Sequence, residues 1–575
     1  MRIKLPKDLR GVVFPRVLPI ELDNFDIDLF LPTLFFKILA SGRGRARRVN
    51  DPTTIAVYVD RLAQHPALVG FDDPEGRRVL ERLVYTALIV TGRVGRARRG
   101  EQILSTVPYT LLAHKPGFPT EGSRQRNADT FIYQALRDRI GGDRYGADDY
   151  LRQHFKRIFG RGVNIGTVPE LGGEYDGTTN LDTLARLSIA FIDGMKPTAA
   201  GAPTRSKAVS SACPMLANEF ADDLLRFLFA YYDKMPSQAF TYNLLALINF
   251  ELFNYTLKLV NAVSALVAQP GLLPPAMKDS FVSSPPQLYL DFTGTGTGLS
   301  FDMAAACVRR DMEAYQQFHL SNLFLRQLNN YVEALSHDSR RRVALDARLG
   351  PEHSGPHYLQ GLLLLQSDPI FGPELAASAR TDENRIRQEN SPGNTEDEPE
   401  DLSWLDNITN SADTDIGRVV ALLAEGQIKK AQSFVQWYRG AGGLTKPHGV
   451  LAGTPANRHS WRYAPSSDLL AVLVQLAATC LASDCRADSQ ATGPAPFRLQ
   501  EFLDFLERRF GILIDRPPDS FQGADYAAAA RENLRAMQNR LRQMGIFRDL
   551  SDDFTVQRLN PPYANSHVSD SEVSL

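Results

Sequence analysis

Apolar side chains recur at steps of three and four along most of the chain, a pattern that predicts a mainly α-helical protein. Phe220, Leu224, Phe227, Leu228 and Tyr231 mark one helix, and Tyr242, Leu245, Ile248, Leu252, Tyr255 and Leu259 mark a second. The same periodicity places helices over 29–39, 79–90, 181–191, 301–335, 416–438 and 469–481. Such stripes build the cores of helix bundles. QLYLDF at 287–292 reads as a strand, and 444–463, rich in Gly, Pro and His, reads as a loop. The expected fold class is mainly α, as multi-helix bundle domains with one distinct module at the C-terminal end.

That module spans 498–563. Leu499, Phe502, Leu503, Leu506 and Phe510 form the stripe of a first helix, which Gly511 stops. Ile512–Ile514 reads as extended chain, and Pro517-Pro518 breaks it. A second helix covers 526–544 and ends at Gly545, followed by two short β-like runs near Phe547 and over 554–559. Helix, helix and small hairpin are the order of a winged helix. The second helix has an apolar side, Leu534, Met537, Leu541 and Met544, and a polar side, Arg531, Arg535, Gln538 and Arg542 with Asn539 beside them. Arginine suits phosphate and guanine edges, and Gln and Asn suit adenine. These five residues are candidate nucleic-acid contacts; the plainer reading is a solvated helix face. The module holds ten Arg against ten acids, so it is neutral as a whole.

A length of 575 residues suggests about three domains. The expected organisation is a basic helical domain over 1–163, an aromatic-rich helical domain over 164–380, an acidic linker over 381–415, a helical connector over 416–497, the module, and a polar tail from 564. The first segment has 28 Lys plus Arg against 18 acids. Within it GRARR occurs twice, presenting Arg45, Arg47 and Arg48, then Arg96, Arg98 and Arg99. Gly/Arg loops at helix ends suit a phosphate backbone; arginine answering a helix C-terminus is the alternative. The stretch 381–415 has eleven acids against two Arg, the composition of a solvated linker.

Candidate chemistry is sparse. NIGTVPELGGEYDGTTN and DFTGTGTGLSFD are glycine-rich but carry no phosphate-loop Lys, and the second reads as a turn into a helix. His353 and His357 flank Gly355-Pro356 without a completing ligand set. Cys213, Cys307, Cys480 and Cys485 are scattered, which fits a reducing compartment. No catalytic motif, metal site or cofactor is expected, and no run is apolar enough for a membrane span. A cytoplasmic location follows as the expectation.

The stretch ENLRAMQNRLRQMGIFRDLSDDFTVQRLNPPY resembles the ends of proteins of bacterial anti-phage defence clusters, closest to an accessory component of the methylation-associated defence system. The resemblance covers about 65 residues and carries no active site. It implies a role beside a methyltransferase, an ATPase or a nuclease. Three functional readings stand together: a non-enzymatic subunit that engages double-stranded DNA, a protein scaffold, and a nuclease without a visible motif. An arginine-lined groove would favour the first, an exposed apolar patch the second, and three carboxylates converging in one cleft the third.

Overall fold

The Ser237–Ala268 helix carries apolar side chains around its whole circumference, and a helix of that kind is stable only when surrounded. In the computed structural model every residue from 246 to 260 is buried. The described residues are 3–27, 30–42, 59–60, 62–64, 66, 69–83, 89–91, 102–104, 126–165, 173–180, 211–278, 285–350, 352–391, 403–484, 494–548 and 557–564. Among them are sixteen helices, so the expected mainly helical class is found. Beside the Ser237–Ala268 helix runs the longest one, Leu299–Leu335, about 55 Å at the usual rise. Pro214–Tyr231 and Ser467–Asp484 close the other sides of the 237–268 helix. The buried apolar residues from Ile3 to Leu559 form one cluster, which passes through every segment expected as a separate domain.

Residues 3–27 lie across this body as a strap. Ile3, Leu5, Leu9, Phe14 and Val17 are buried, and polar bonds fix the path between them. Arg326 Nη1 donates to the Gly11 carbonyl and Asn322 Nδ2 to that of Val12 at 2.8 Å. Gln427 Nε2 reaches the Leu9 carbonyl at 3.0 Å, and Lys446 pairs with Asp26 at 2.9 Å. The Leu5 side chain sits so close to Gly426 that a Cβ there would stand 2.7 Å from it.

Several expectations are corrected. The helix placed over 79–90 is Pro74–Leu83, and the β-branched run Ile89–Thr91 instead pairs antiparallel with Gln102–Leu104. Val163–Ile165 and Gly173–Tyr175 form a ladder inside the expected glycine-rich loop. The single helix over 416–438 is two, Asp415–Gly426 and Ile428–Ala441, divided where Gln427 turns to the strap. The loop over 444–463 contains a hairpin, Leu451–Thr454 with Asn457–Tyr463, whose Trp461 and Tyr463 are buried. The acidic linker is corrected in its first ten residues, because Phe371–Asn390 is one helix. Its Leu375, Ala379, Asp382 and Ile386 make a buried stripe that charge counting conceals. Asp382 accepts from Gln327 Nε2 at 2.8 Å and from the Tyr331 hydroxyl at 3.0 Å. Ser403–Thr409 is also helical and buries Leu405, while 392–402 lie outside the described residues.

Candidate nucleic-acid interface

The C-terminal segment builds two helices and a three-stranded sheet. Phe497-Arg498 precedes the Leu499–Phe510 helix, whose stripe Leu499, Phe502, Leu503, Leu506 and Phe510 is buried as its spacing requires. The Arg498 amide donates to Glu501 Oε2 at 2.7 Å, which satisfies one donor at the helix start. At the other end Gly511 takes φ 72° and its N–H returns to the Glu507 carbonyl. No side chain fits here: a Cβ would lie 2.2 Å from the Pro286 carbonyl oxygen. The chain then enters a short parallel ladder, Ile512-Leu513 beside Leu288-Tyr289.

The second helix is Ala524–Gln543. It ends in a Schellman turn, with Gly545 N–H on the Arg542 carbonyl at 2.9 Å and Ile546 N–H on that of Leu541 at 3.0 Å. Phe547-Arg548 pairs with Arg558-Leu559, which pairs in turn with Phe497-Arg498. Residues 549–556, between the two hairpin strands, lie outside the described residues.

The helix is held by one polar residue that sequence reasoning missed. Asn533 is fully buried. Its Oδ1 accepts from the Phe292 N–H at 2.7 Å, and its Nδ2 donates to the carbonyls of Leu290 at 2.8 Å and Ile514 at 3.1 Å. The signal was a lone amide within the stripe Ala530, Leu534, Met537, Leu541. Arg540 adds a bond to the Pro465 carbonyl at 2.8 Å and lies over the Phe292 ring.

On the opposite side Arg531, Arg535, Asn539 and Arg542 are exposed. Arg542 donates to Asn539 Oδ1 at 2.7 Å and lies 5.0 Å from the Phe547 ring, which fixes its guanidinium beside the hairpin. Gln538 is corrected: it is buried and donates to Gln557 Oε1 at 3.0 Å, because the hairpin covers that edge of the helix. Arg45, Arg47, Arg48, Arg96, Arg98 and Arg99 lie outside the described residues.

Three carboxylates do converge, beneath the first helix of this segment. Arg509 Nε meets Asp223 Oδ2 at 2.9 Å, and Lys258 Nζ meets Glu219 Oε2 at 3.2 Å and the Arg509 carbonyl at 2.6 Å. Glu251 lies in the same cluster, with Oε1 lacking a hydrogen-bond partner among the described residues. Burial, reinforced by Asp223, raises the Glu251 carboxyl well above its ordinary range. Lys258 and Arg509 face Glu219 and Asp223, so the cluster is a buried ionic clamp. Among the described residues no three of His, Cys, Asp and Glu are grouped to hold a metal ion. The TGTGTG loop turns into the Leu299–Leu335 helix, and Asp291 at its start accepts from Ser300 Oγ at 3.1 Å and Arg462 Nε at 3.1 Å.

The molecule is thus a helical protein that presents an arginine-bearing helix beside a small sheet. Over residues 7–563 it matches the family model described as "Methylation-associated defense system protein MAD7", and the chain belongs to that family. It is therefore a component of a methylation-associated defence system. The match runs across the chain, so the likeness is not confined to the last 65 residues. No curated protein and no solved structure matches it. No helix among the described residues is long and apolar enough to cross a membrane.

Proposed function

We propose that this component engages double-stranded DNA through the exposed face of the Ala524–Gln543 helix and acts without catalysing a reaction itself. The observation that carries the reading is the separation of the two helix faces. Asn533, Met537 and Leu541 are buried in the body, while Arg531, Arg535, Asn539 and Arg542 point to solvent. The helix and hairpin fit a winged helix, in which such a face enters the major groove. Its partners are then DNA and the other proteins of the defence system, such as a methyltransferase, an ATPase or a nuclease subunit. The two GRARR stretches are assigned as further phosphate contacts of the same complex. The ion pairs of the buried clamp at Glu219, Asp223, Lys258 and Arg509 support a structural role for those charges over a nuclease role.

The test is binding of a fluorescent 30-base-pair duplex by the full chain, followed by anisotropy at several salt concentrations. Arg531→Ala with Arg535→Ala should weaken binding and lower the slope of log K against log salt by about 1.8 if both touch phosphate. Unchanged affinity and slope overturn the reading. If duplex binding is intact but capture of another defence protein is lost, the surface is a protein-docking face, the scaffold alternative.

A further inference from the structure

A second surface, remote in sequence from the arginine-bearing helix, has a different chemistry. It lies where side chains of the Arg144–Phe159 helix meet those at the end of Pro214–Tyr231. Tyr150 and His154, one turn apart, have ring centroids 4.2 Å from each other, and the Phe229 ring stands 4.8 Å from His154. Arg157 continues the row, with its guanidinium 5.1 Å from the Tyr232 ring. Residues 150–161, YLRQHFKRIFGR, carry four cations and no carboxylate, although Asp149 just before them pairs with Arg152 at 3.3 Å.

Exposure decides how this row is read. An aromatic ladder that merely seals a core edge is covered, yet Tyr150 is 41% exposed. Burial and the neighbouring Arg157 lower the His154 imidazole below its ordinary value, so at neutral pH the ring is uncharged. Uncharged rings flanked by fixed cations offer a base-stacking face next to a phosphate track. A duplex hides its base faces, so a ligand that uses both features has unpaired bases.

We propose that the surface formed by Tyr150, His154, Arg157 and Phe229 binds single-stranded nucleic acid, stacking a base on Tyr150 while the cations follow the backbone. The charge balance supports this occupant. The segment 1–163 that supplies the helix has 28 Lys plus Arg against 18 acids, and a polyanion complements that excess. The site is independent of the duplex-binding face, and the two can fail separately.

The probe is a fluorescein-labelled 20-mer of thymidine, titrated with the full chain and followed by anisotropy. Wild-type protein should bind it, and Tyr150→Ala should weaken binding about 10-fold, the scale of one lost base stack. Tyr150→Trp should bind within about threefold of wild type, because stacking needs a ring and not the hydroxyl. Arg157→Ala should weaken binding and flatten its salt dependence. Arg531→Ala with Arg535→Ala should weaken duplex binding more than single-strand binding. Thermal melting of each variant separates lost contact from lost fold. No binding by the wild type overturns the proposal. So does equal weakening by Tyr150→Ala and Tyr150→Trp, or equal loss by Tyr150→Ala on heparin, which has charge but no bases to stack.

Discussion

Asn533 offers the most direct test of how the C-terminal helix is held. Replacing it with Leu keeps the branched shape and heavy-atom count, though not the volume, and removes every polar contact. Three backbone groups are then stranded where the side chain was fully buried: the Phe292 N–H and the Leu290 and Ile514 carbonyls. Each stranded group costs about 1–3 kcal/mol. Leu recovers part of this through apolar contact, which leaves a net loss of about 3–5 kcal/mol. A typical domain has only about 5–15 kcal/mol in total, so the variant should be near its stability limit. Two measurements address different parts of the argument. Urea denaturation gives the global loss. Hydrogen exchange reports whether the Phe292 amide, and the Leu290 amide bonded to the Leu513 carbonyl at 3.1 Å, lose protection together. Asn533→Asp should also destabilise, since it keeps the acceptor but sets an anion against two carbonyl oxygens. A loss below about 1 kcal/mol with unchanged exchange over 288–292 would refute the reasoning, because it would mean that the three bonds do not bear on stability.

Two further outcomes follow from burial and charge. Leu541→Ala, at a fully buried position, should cost about 2–5 kcal/mol, whereas Arg535→Ala should stay within about 0.5 kcal/mol in the same denaturation series; equal losses would contradict the two-faced helix. Burial pushes the Asp311 carboxyl up to about 6, with Arg310 and the Tyr463 hydroxyl opposing. The folded value lies above the unfolded one near 3.9, so the native state holds the proton more tightly. That stabilisation is complete below about pH 4 and is lost as pH rises through about 6, a fall of about 3 kcal/mol from this group. Asp311→Asn should flatten the corresponding part of the stability–pH curve, and an unaltered slope would show that Asp311 does not titrate in this range.

Much of the helical framework was legible because one force dominates it. Stripes such as Leu499 to Phe510 have a single way to be buried, and Gly511 and Gly545 mark helix ends that need a left-handed residue. What escaped depends on partners distant in the chain. The ladder at Leu288-Tyr289 is two residues long and pairs with residues more than 220 positions away, so no local pattern announces it. The hairpin over Leu451–Tyr463 hid behind its Gly and Pro content, although His459, Trp461 and Tyr463 alternate with polar residues. Gln538 sits three residues from Arg535, a step that suggests a shared face; the hairpin narrows the exposed arc and takes Gln538 inside. The clamp was visible only in outline, as Glu251 and Lys258 within an otherwise apolar helix. Nothing in the spacing shows that Asp223 and Arg509 complete it.

The strap formed by residues 3–27 has a consequence for the order of events on the ribosome. Its anchors lie far downstream: Arg326, Gln427 and Lys446, the last of these 420 residues beyond its partner Asp26. At about 5–20 residues per second, roughly 20–80 seconds pass between the emergence of Asp26 and that of Lys446. During that interval the strap gains its anchors one at a time, first at Asn322 and Arg326 and then at Gln427. The strap is thus made well before the last of the surfaces it lies on, and it can be fully seated only once the Ile428–Ala441 helix and Lys446 have left the exit tunnel.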